Sequence, residues 1–440
     1  MLTICILYST NYADVETTRS NLILVAPDWN IVLLDKFTAP TLNTFVETYE
    51  EPFFVTLHAG DKLTPSFIIE LQEKWYECPE TSAGLLYERP TAPSKATQIQ
   101  LGSGIPVEPL LWRTEAVRRN GQPYFAEHDQ LPFSTYVLSD AMLRLSDNWS
   151  WTRLNSTGWS PHRTQYPAWQ KAHEEWELIQ PILRSPLTTI NTFAAPEPLF
   201  SIAICTYNNA EYIGWSIRSV LAQTFPDWEL IIIDDASTDD TKQKLQHWSN
   251  DPRIRVATNS SNMGKSPSLN KALSICSSKW LLELDADDWL PIHCLSTLAT
   301  YVNLTTAEDG LLYGDHHQWV ERARKQLIYS GEHKAPSQIN SAMLLNNASP
   351  IAPRCYRVDA LRKLGGWSLK APYESRLYED LEIIIRLSWY YRLLYVPHGL
   401  YHRRIRASSI SQSNYDKYET WRQWMLAEES QHLEAGGLSE

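Results

Sequence analysis

SIAICTYNNAEYIGWSIRSVLAQTFPDWELIIIDDASTDDT, residues 201–241, decides how the second half of this chain folds. The apolar run Leu199–Thr206 stops at Tyr207-Asn208-Asn209, a loop signal. Glu211–Gln223 then reads as a helix, with Tyr212, Ile213, Ile217, Val220 and Leu221 on one side. Leu230–Ile233 is a continuous apolar run, the pattern of a strand buried on both faces. It ends at Asp234-Asp235, and Ser237-Thr238-Asp239-Asp240 supplies a capping pattern for the next helix. Arg253–Ala257 is a further strand, Ser266–Ser278 a further helix, and Leu281–Leu284 a strand that ends in Asp285-Ala286-Asp287-Asp288. This alternation predicts an α/β domain with a mainly parallel sheet and right-handed crossovers. In such sheets ligands sit beyond the carboxyl ends of the strands. Thr206/Tyr207, Asp234/Asp235 and Asp285/Asp287/Asp288 all fall at that edge.

Two aspartates one residue apart at a strand end present hard oxygens, which suit Mn²⁺ or Mg²⁺. An isolated pair of this kind more often caps a turn. Here the pair follows an apolar strand and two other polar strand ends, which favours a ligand-binding role.

Working outward, the chain contains a second, altered version of these landmarks. Pro27-Asp28-Trp29-Asn30-Ile31-Val32-Leu33-Leu34-Asp35-Lys36 matches Pro226–Asp235 without a gap. Phe53–Leu63 lines up with Trp280–Leu290, Gly84-Leu85-Leu86-Tyr87 with Gly310-Leu311-Leu312-Tyr313, and Arg113–Gly121 with Arg357–Gly365. Four matches in one order indicate two domains of one fold, 1–150 and 198–412. In the first, His58 and Gly60 stand where Asp285 and Asp287 stand, and Lys36 replaces Asp235; only Asp61 survives of the acidic cluster. An acidic group at Glu127-His128-Asp129 has no certain counterpart. Between the domains, 151–197 reads as a linker rich in Pro and Trp, with a short helix between Pro167 and Pro181 carrying Trp169, Trp176 and Leu178. In 413–440, Tyr415–Ala435 reads as a helix with Tyr418, Trp421 and Met425 in a stripe that packs on a domain.

The bulk numbers bound the function. The 440 residues suffice for two domains. A net charge of -12 argues against nucleic acid or an anionic membrane surface as partner. None of the six cysteines forms a CxxC pair, which points to free thiols in a reducing compartment. No apolar run reaches the ~20 residues that span a bilayer, and Met1–Tyr8 reads as a strand, not a leader. The expectation is a soluble, cytoplasmic protein.

Residues 201–241, with NSSNMGKSPSLNKAL, WLLELDADDWLP, GGWSLKAPYESRLYEDLEIIIRL and LYHRRIRASSIS, resemble family 2 glycosyltransferases of the glycosyltransferase-A fold. The resemblance covers nearly all of 198–412 and implies two tandem Rossmann-like domains of that fold, the first degenerate, plus the C-terminal helix. It implies an inverting, metal-dependent transfer from a nucleotide sugar, a UDP-sugar, to an acceptor hydroxyl in surface-glycan or glycoconjugate biosynthesis. Thr206, Tyr207 and Asp235 would hold the base, and Lys265 would face the diphosphate. Asp285 would contact the ribose or the metal, Asp287 would be the principal ligand of Mn²⁺ or Mg²⁺, and Asp288 would stand beside it. Asp380 falls where the family places its base; read without the resemblance, it is a first-turn acid favoured by the helix dipole. Arg406 stands where many relatives have a histidine, and it would contact the diphosphate; His402 is four positions away. The family's frequent arginine is Leu269 here.

The acceptor remains open between a glycan, a lipid-linked sugar, a small molecule and a protein, and so does self-association. Trp289, Trp367, Tyr373 and Tyr378 are candidates for stacking on sugars or for the core. Two rival functions are a nucleotidyltransferase, disfavoured because Thr206–Asn209 is not glycine-rich, and a carbohydrate-binding pseudoenzyme, disfavoured by the intact acids of the second domain.

Overall fold

The computed structural model describes residues 3–7, 12–34, 39–88, 108–126, 131, 136–160, 169–185, 197–248, 250–322, 327–346, 351–406 and 415–434. The chain divides into two units, Met1–Arg184 and Ser185–Glu440.

In the first unit the strands are β1 (Thr3–Leu7), β2 (Asn30–Leu33), β3 (Phe53–His58), β4 (Lys62–Leu63), β5 (Ser82–Glu88), β6 (Glu108–Arg113), β7 (Ser150–Asn155) and β8 (Trp159–Ser160). Six of them form one sheet in the order β2-β1-β3-β6-β5-β7, and β4 pairs with β8. The expected linker is therefore only partly a linker. Its first residues complete β7, and the helix Trp169–Arg184 runs through Pro181 rather than stopping there. The Trp176, Ile179 and Ile182 side chains of that helix are buried, so packing outweighs the hydrogen bond that proline removes.

The second unit contains β9 (Phe200–Thr206), β10 (Trp228–Asp234), β11 (Ile254–Thr258), β12 (Trp280–Glu283), β13 (Asp309–Glu321), β14 (Leu327–His333), β15 (Arg354–Arg357) and β16 (Arg392–Ile405). Their order is β11-β10-β9-β12-β15-β13-β14, with β16 also on β13. β10 is buried at every position, as its unbroken apolar run requires of a strand covered on both faces. Helices Ile213–Leu221 and Cys294–Val302 contribute to one apolar layer. Helices Lys265–Ile275, Glu379–Ser388 and Tyr418–Glu434 contribute to the other, where Trp421 and Met425 are fully buried.

Without β11 and β14 the second sheet has the order of the first: β10-β9-β12-β15-β13-β16 beside β2-β1-β3-β6-β5-β7. The strand directions agree pair by pair. Thr3 lies between Asn30 and Phe54 as Ser201 lies between Glu229 and Leu281, the partners that the gapless matches set side by side. Arg113 and Arg357 each cap a six-residue helix and stack 4.6 Å from the ring of Phe53 or Trp280. One match slips: Gly84 faces Trp112 whereas Leu311 faces Tyr356, so this segment aligns one residue later than its sequence suggests. Among the described residues, no helix is long and apolar enough to cross a membrane.

Candidate functional site

At the carboxyl ends of β9, β10 and β12 lies a cleft of about 470 Å³. Thr206, Tyr207, Asp235, Lys265, Asp285, Asp287, Asp288, Asp380 and Arg406 all line it. Residues separated by up to two hundred positions thus meet, because parallel strands bring their C-terminal loops to one edge.

Thr206 ends β9 and is 2% exposed, and its Oγ1 has no hydrogen-bond partner among the described residues. Tyr207 beside it is exposed. The Asp235 carboxylate accepts from Asn259 Nδ2 (2.7 Å), Met263 N (2.9 Å) and Gly264 N (2.7 Å). It therefore staples the 259–264 loop against the cleft. Gly264 has a φ of +96°, which lets the chain turn into helix Lys265–Ile275 beside Arg376.

Lys265 lines the cleft with its ammonium already engaged. Its Nζ lies 2.6 Å from Asp285 Oδ1, 2.9 Å from Glu283 Oε1 and 3.1 Å from Glu379 Oε1. Three carboxylates outweigh burial and hold its pKa well above the usual range. Rather than standing free for a diphosphate, Lys265 ties together three acidic side chains. Arg354, on β15, does the same from the other side. Its Nε and Nη2 take Glu283 in a fork at 3.1 and 2.9 Å. The Nη2 also reaches Asp285 Oδ2 at 3.1 Å, and Nη1 stands 3.6 Å from Asp380 Oδ2. Burial alone would raise the Asp285 carboxyl, but Lys265 and Arg354 overcome it and hold the group well below the ordinary range. Glu379 has weaker compensation. Burial raises it to about 6, with Lys265 opposing and Asp380 adding to the rise.

Asp287 pairs with Arg406 at 2.5 Å. Arg406 and Arg404 both stack on the Tyr212 ring, at 4.8 and 4.5 Å. Asp288 turns inward instead: its Oδ1 accepts from Arg404 N at 2.7 Å, and burial, with Asp287 and Asp285 nearby, raises its carboxyl well above the usual value. It clasps the turn to β16, whereas Asp285 and Asp287 face the cleft with their carboxylates held by Lys265 and Arg354 and by Arg406. His402 does not line the cleft; it is fully buried and its Nδ1 accepts from Trp319 Nε1. Leu269 is core. Trp289 and Trp367 are also core residues, while Tyr378 lines the cleft.

Arg354 and Glu283 were not legible as site residues. The available signal was Glu283 itself, the one charge in the apolar run Leu281–Leu284, since a charge in a buried strand demands a buried partner. The turn His58–Asp61 of the first unit shares one hydrogen bond with the turn Asp285–Asp288 but passes through Gly60 at φ +98°. Asp61 N donates to His58 O at 3.1 Å, as Asp288 N donates to Asp285 O at 3.1 Å, and Asp61 is fully buried. Lys36, Glu127, His128 and Asp129 lie outside the described residues.

Asp285 and Asp287 fit a divalent cation by chemistry, because both are hard oxygen donors at the rim of the cleft. Among the described residues no group of three or more His, Cys, Asp or Glu is arranged to hold a metal ion. A cation here would have to bring further oxygen ligands with it, as one that arrives on a diphosphate does.

Residues 201–363 match the sequence profile described as glycosyl transferase family 2. The chain is similar to the Escherichia coli UDP-Glc:alpha-D-GlcNAc-diphosphoundecaprenol beta-1,3-glucosyltransferase, 41% identical over 150 residues, 34% of this chain and 56% of that one. An uncharacterized glycosyltransferase of Haemophilus influenzae is 39% identical over 106 residues, 24% of this chain and 33% of that one. The chain thus spans less than two thirds of the length of these curated relatives. Among solved structures, Staphylococcus aureus TarS in complex with UDP matches with 21% identity and a TM-score of 0.38, over 47% of this chain and 60% of that chain.

Proposed function

Because residues 201–363 form a glycosyl transferase family 2 domain, we propose that the second unit moves a sugar from a UDP-sugar to an acceptor hydroxyl with inversion. The reading rests on one observation: the nine expected side chains share a single cleft. The E. coli relative is named for a UDP-Glc donor and a lipid-linked acceptor. We carry over the donor class and a glycan or lipid-linked acceptor, placed in surface-glycan or glycoconjugate biosynthesis. The free thiols of Cys78, Cys205, Cys276, Cys294 and Cys355 support a cytoplasmic setting.

In this reading Thr206 offers its unpartnered hydroxyl to the nucleoside, Tyr207 packs on the base, and Asp235 accepts from the ring N–H. Asp285 and Asp287 would hold Mn²⁺ or Mg²⁺, whose charge offsets that of the departing diphosphate. The ion pairs of the cleft support a role for a cation: Lys265, Arg354 and Arg406 are each already engaged by a carboxylate, so a divalent ion would add positive charge that they do not have free for a diphosphate. Arg406 would pass from Asp287 to a diphosphate oxygen. Asp380 takes the proton from the acceptor hydroxyl as that oxygen attacks the anomeric carbon. No covalent intermediate is needed. The shared strand order supports reading the first unit as a copy that lacks the donor acids.

UDP release from UDP-Glc, UDP-GlcNAc and UDP-Gal, with and without Mn²⁺, tests the proposal. Asp287→Ala should lower Mn²⁺-dependent release on the order of 100-fold, and His58→Ala should leave it unchanged. Loss in His58→Ala with full activity in Asp287→Ala would move the active site to the other unit.

A further inference from the structure

The catalytic helix begins in an unusual way. Its capping residue, Tyr378, has φ +61° and ψ +25°, left-handed for a residue with a large side chain. Just before it, Tyr373, Glu374 and Ser375 also have positive φ, between +55° and +59°. L-residues resist this region because Cβ crowds the following carbonyl, so such a run persists only where its surroundings hold it. The Tyr378 carbonyl accepts from Glu382 N at 3.0 Å, which closes the first turn around Glu379 and Asp380. The direction in which Asp380 points therefore depends on the backbone of Tyr378.

The C-terminal helix Tyr418–Glu434 holds that backbone. The Tyr378 ring lies edge-on to Tyr418 and tilted to Trp421, with centroids 5.2 Å apart in both cases. Lys417 stands 5.5 Å over the ring of Tyr373. The helix is itself anchored: Tyr418 donates to the carbonyl oxygens of Leu344 and Leu345, and Arg422 Nε donates to Leu345 O at 2.9 Å. Trp421 and Met425 are fully buried in the same apolar layer as Leu381 and Ile384. Tyr373, Tyr378 and the whole C-terminal helix lie outside the matched family segment, whereas its anchors Leu344 and Leu345 lie within it.

We propose that the C-terminal helix is a positioning element: through Tyr418 and Trp421 it keeps Tyr378 left-handed and thereby aims Asp380 at the acceptor hydroxyl. The proposal rests on the transferase reading above. Its test uses the full chain with whichever of UDP-Glc, UDP-GlcNAc or UDP-Gal it hydrolyses, and reads kcat for UDP release beside the Kd for UDP. Trp421→Ala should keep the UDP Kd within about twofold while kcat falls at least about tenfold, because a small misplacement of a reacting group is costly in rate. Tyr378→Gly should turn over faster than Tyr378→Ala, since glycine adopts φ +61° without a Cβ penalty. Those two variants decide the matter if Trp421→Ala does not fold. A wild-type kcat in Trp421→Ala, a parallel loss of UDP affinity, or a slower Tyr378→Gly would each overturn the proposal. No UDP release by the intact chain from any of the donors would sink the transferase reading, and this inference with it.

Discussion

Arg354 faces three carboxylates, those of Glu283, Asp285 and Asp380, from a position that is 4% exposed. Removing it strands Glu283 inside the protein without a fork partner. Arg354→Ala should therefore cost about 3–5 kcal/mol in urea unfolding, the usual result of breaking a buried pair from one side. Glu379 gives a pH signature. Its carboxyl is raised from 4.5 to about 6, so the folded state binds a proton more tightly than the unfolded chain. Stability then falls as pH rises from 4.5 through 6, by about 2 kcal/mol. Glu379→Gln should melt higher than wild type at pH 8, and the difference should vanish by about pH 4, below both values. Arg406→Ala should free Asp287, tightening Mn²⁺ binding in the absence of nucleotide while weakening UDP roughly tenfold; titration calorimetry reads both. Sequence alone named nine side chains of this cleft because each sits at a strand or helix end, where motif and position coincide. It did not reveal the partners of Lys265 and Asp288, since spacing along the chain does not fix which carboxylates close on an ammonium or which acid turns inward.

At the level of elements, the loop that carries Asn259–Gly264 is held by the Asp235 carboxylate from one side and by the Arg376 guanidinium, through Asn262, from the other, and it turns at Gly264. A Cβ on Gly264 would meet Arg376 Cγ at 3.2 Å, on a backbone that disfavours any side chain. Gly264→Ala should destabilise the protein by about 1–2 kcal/mol and weaken UDP binding, as urea titration and calorimetry would show. The parallel strands were legible because apolar runs ending in polar clusters have few other readings. Helix Trp169–Arg184 was cut short at Pro181, because proline's lost hydrogen bond is visible in sequence while the burial of Ile179 and Ile182 is not. The pairing of β16 with β13 along its whole length was equally hidden, since partners of non-adjacent strands leave no local trace.

For the molecule as a whole, two units with separate cores should unfold in separate steps. Calorimetry should resolve two transitions. UDP with Mn²⁺ at a hundred times its Kd should raise one of them, by about 2.7 kcal/mol of added stability, and leave the other in place. The turn His58–Asp61 carries a consequence of its own. Asp61 is buried there, as Asp288 is in its own turn, and each N–H closes a hydrogen bond to the carbonyl three residues back. Gly60, however, sits at φ +98°, a left-handed backbone that Asp287 does not share, so an aspartate written in at position 60 would be strained there, and grafting the acidic pair onto the first unit would require rebending the turn as well as changing its side chains.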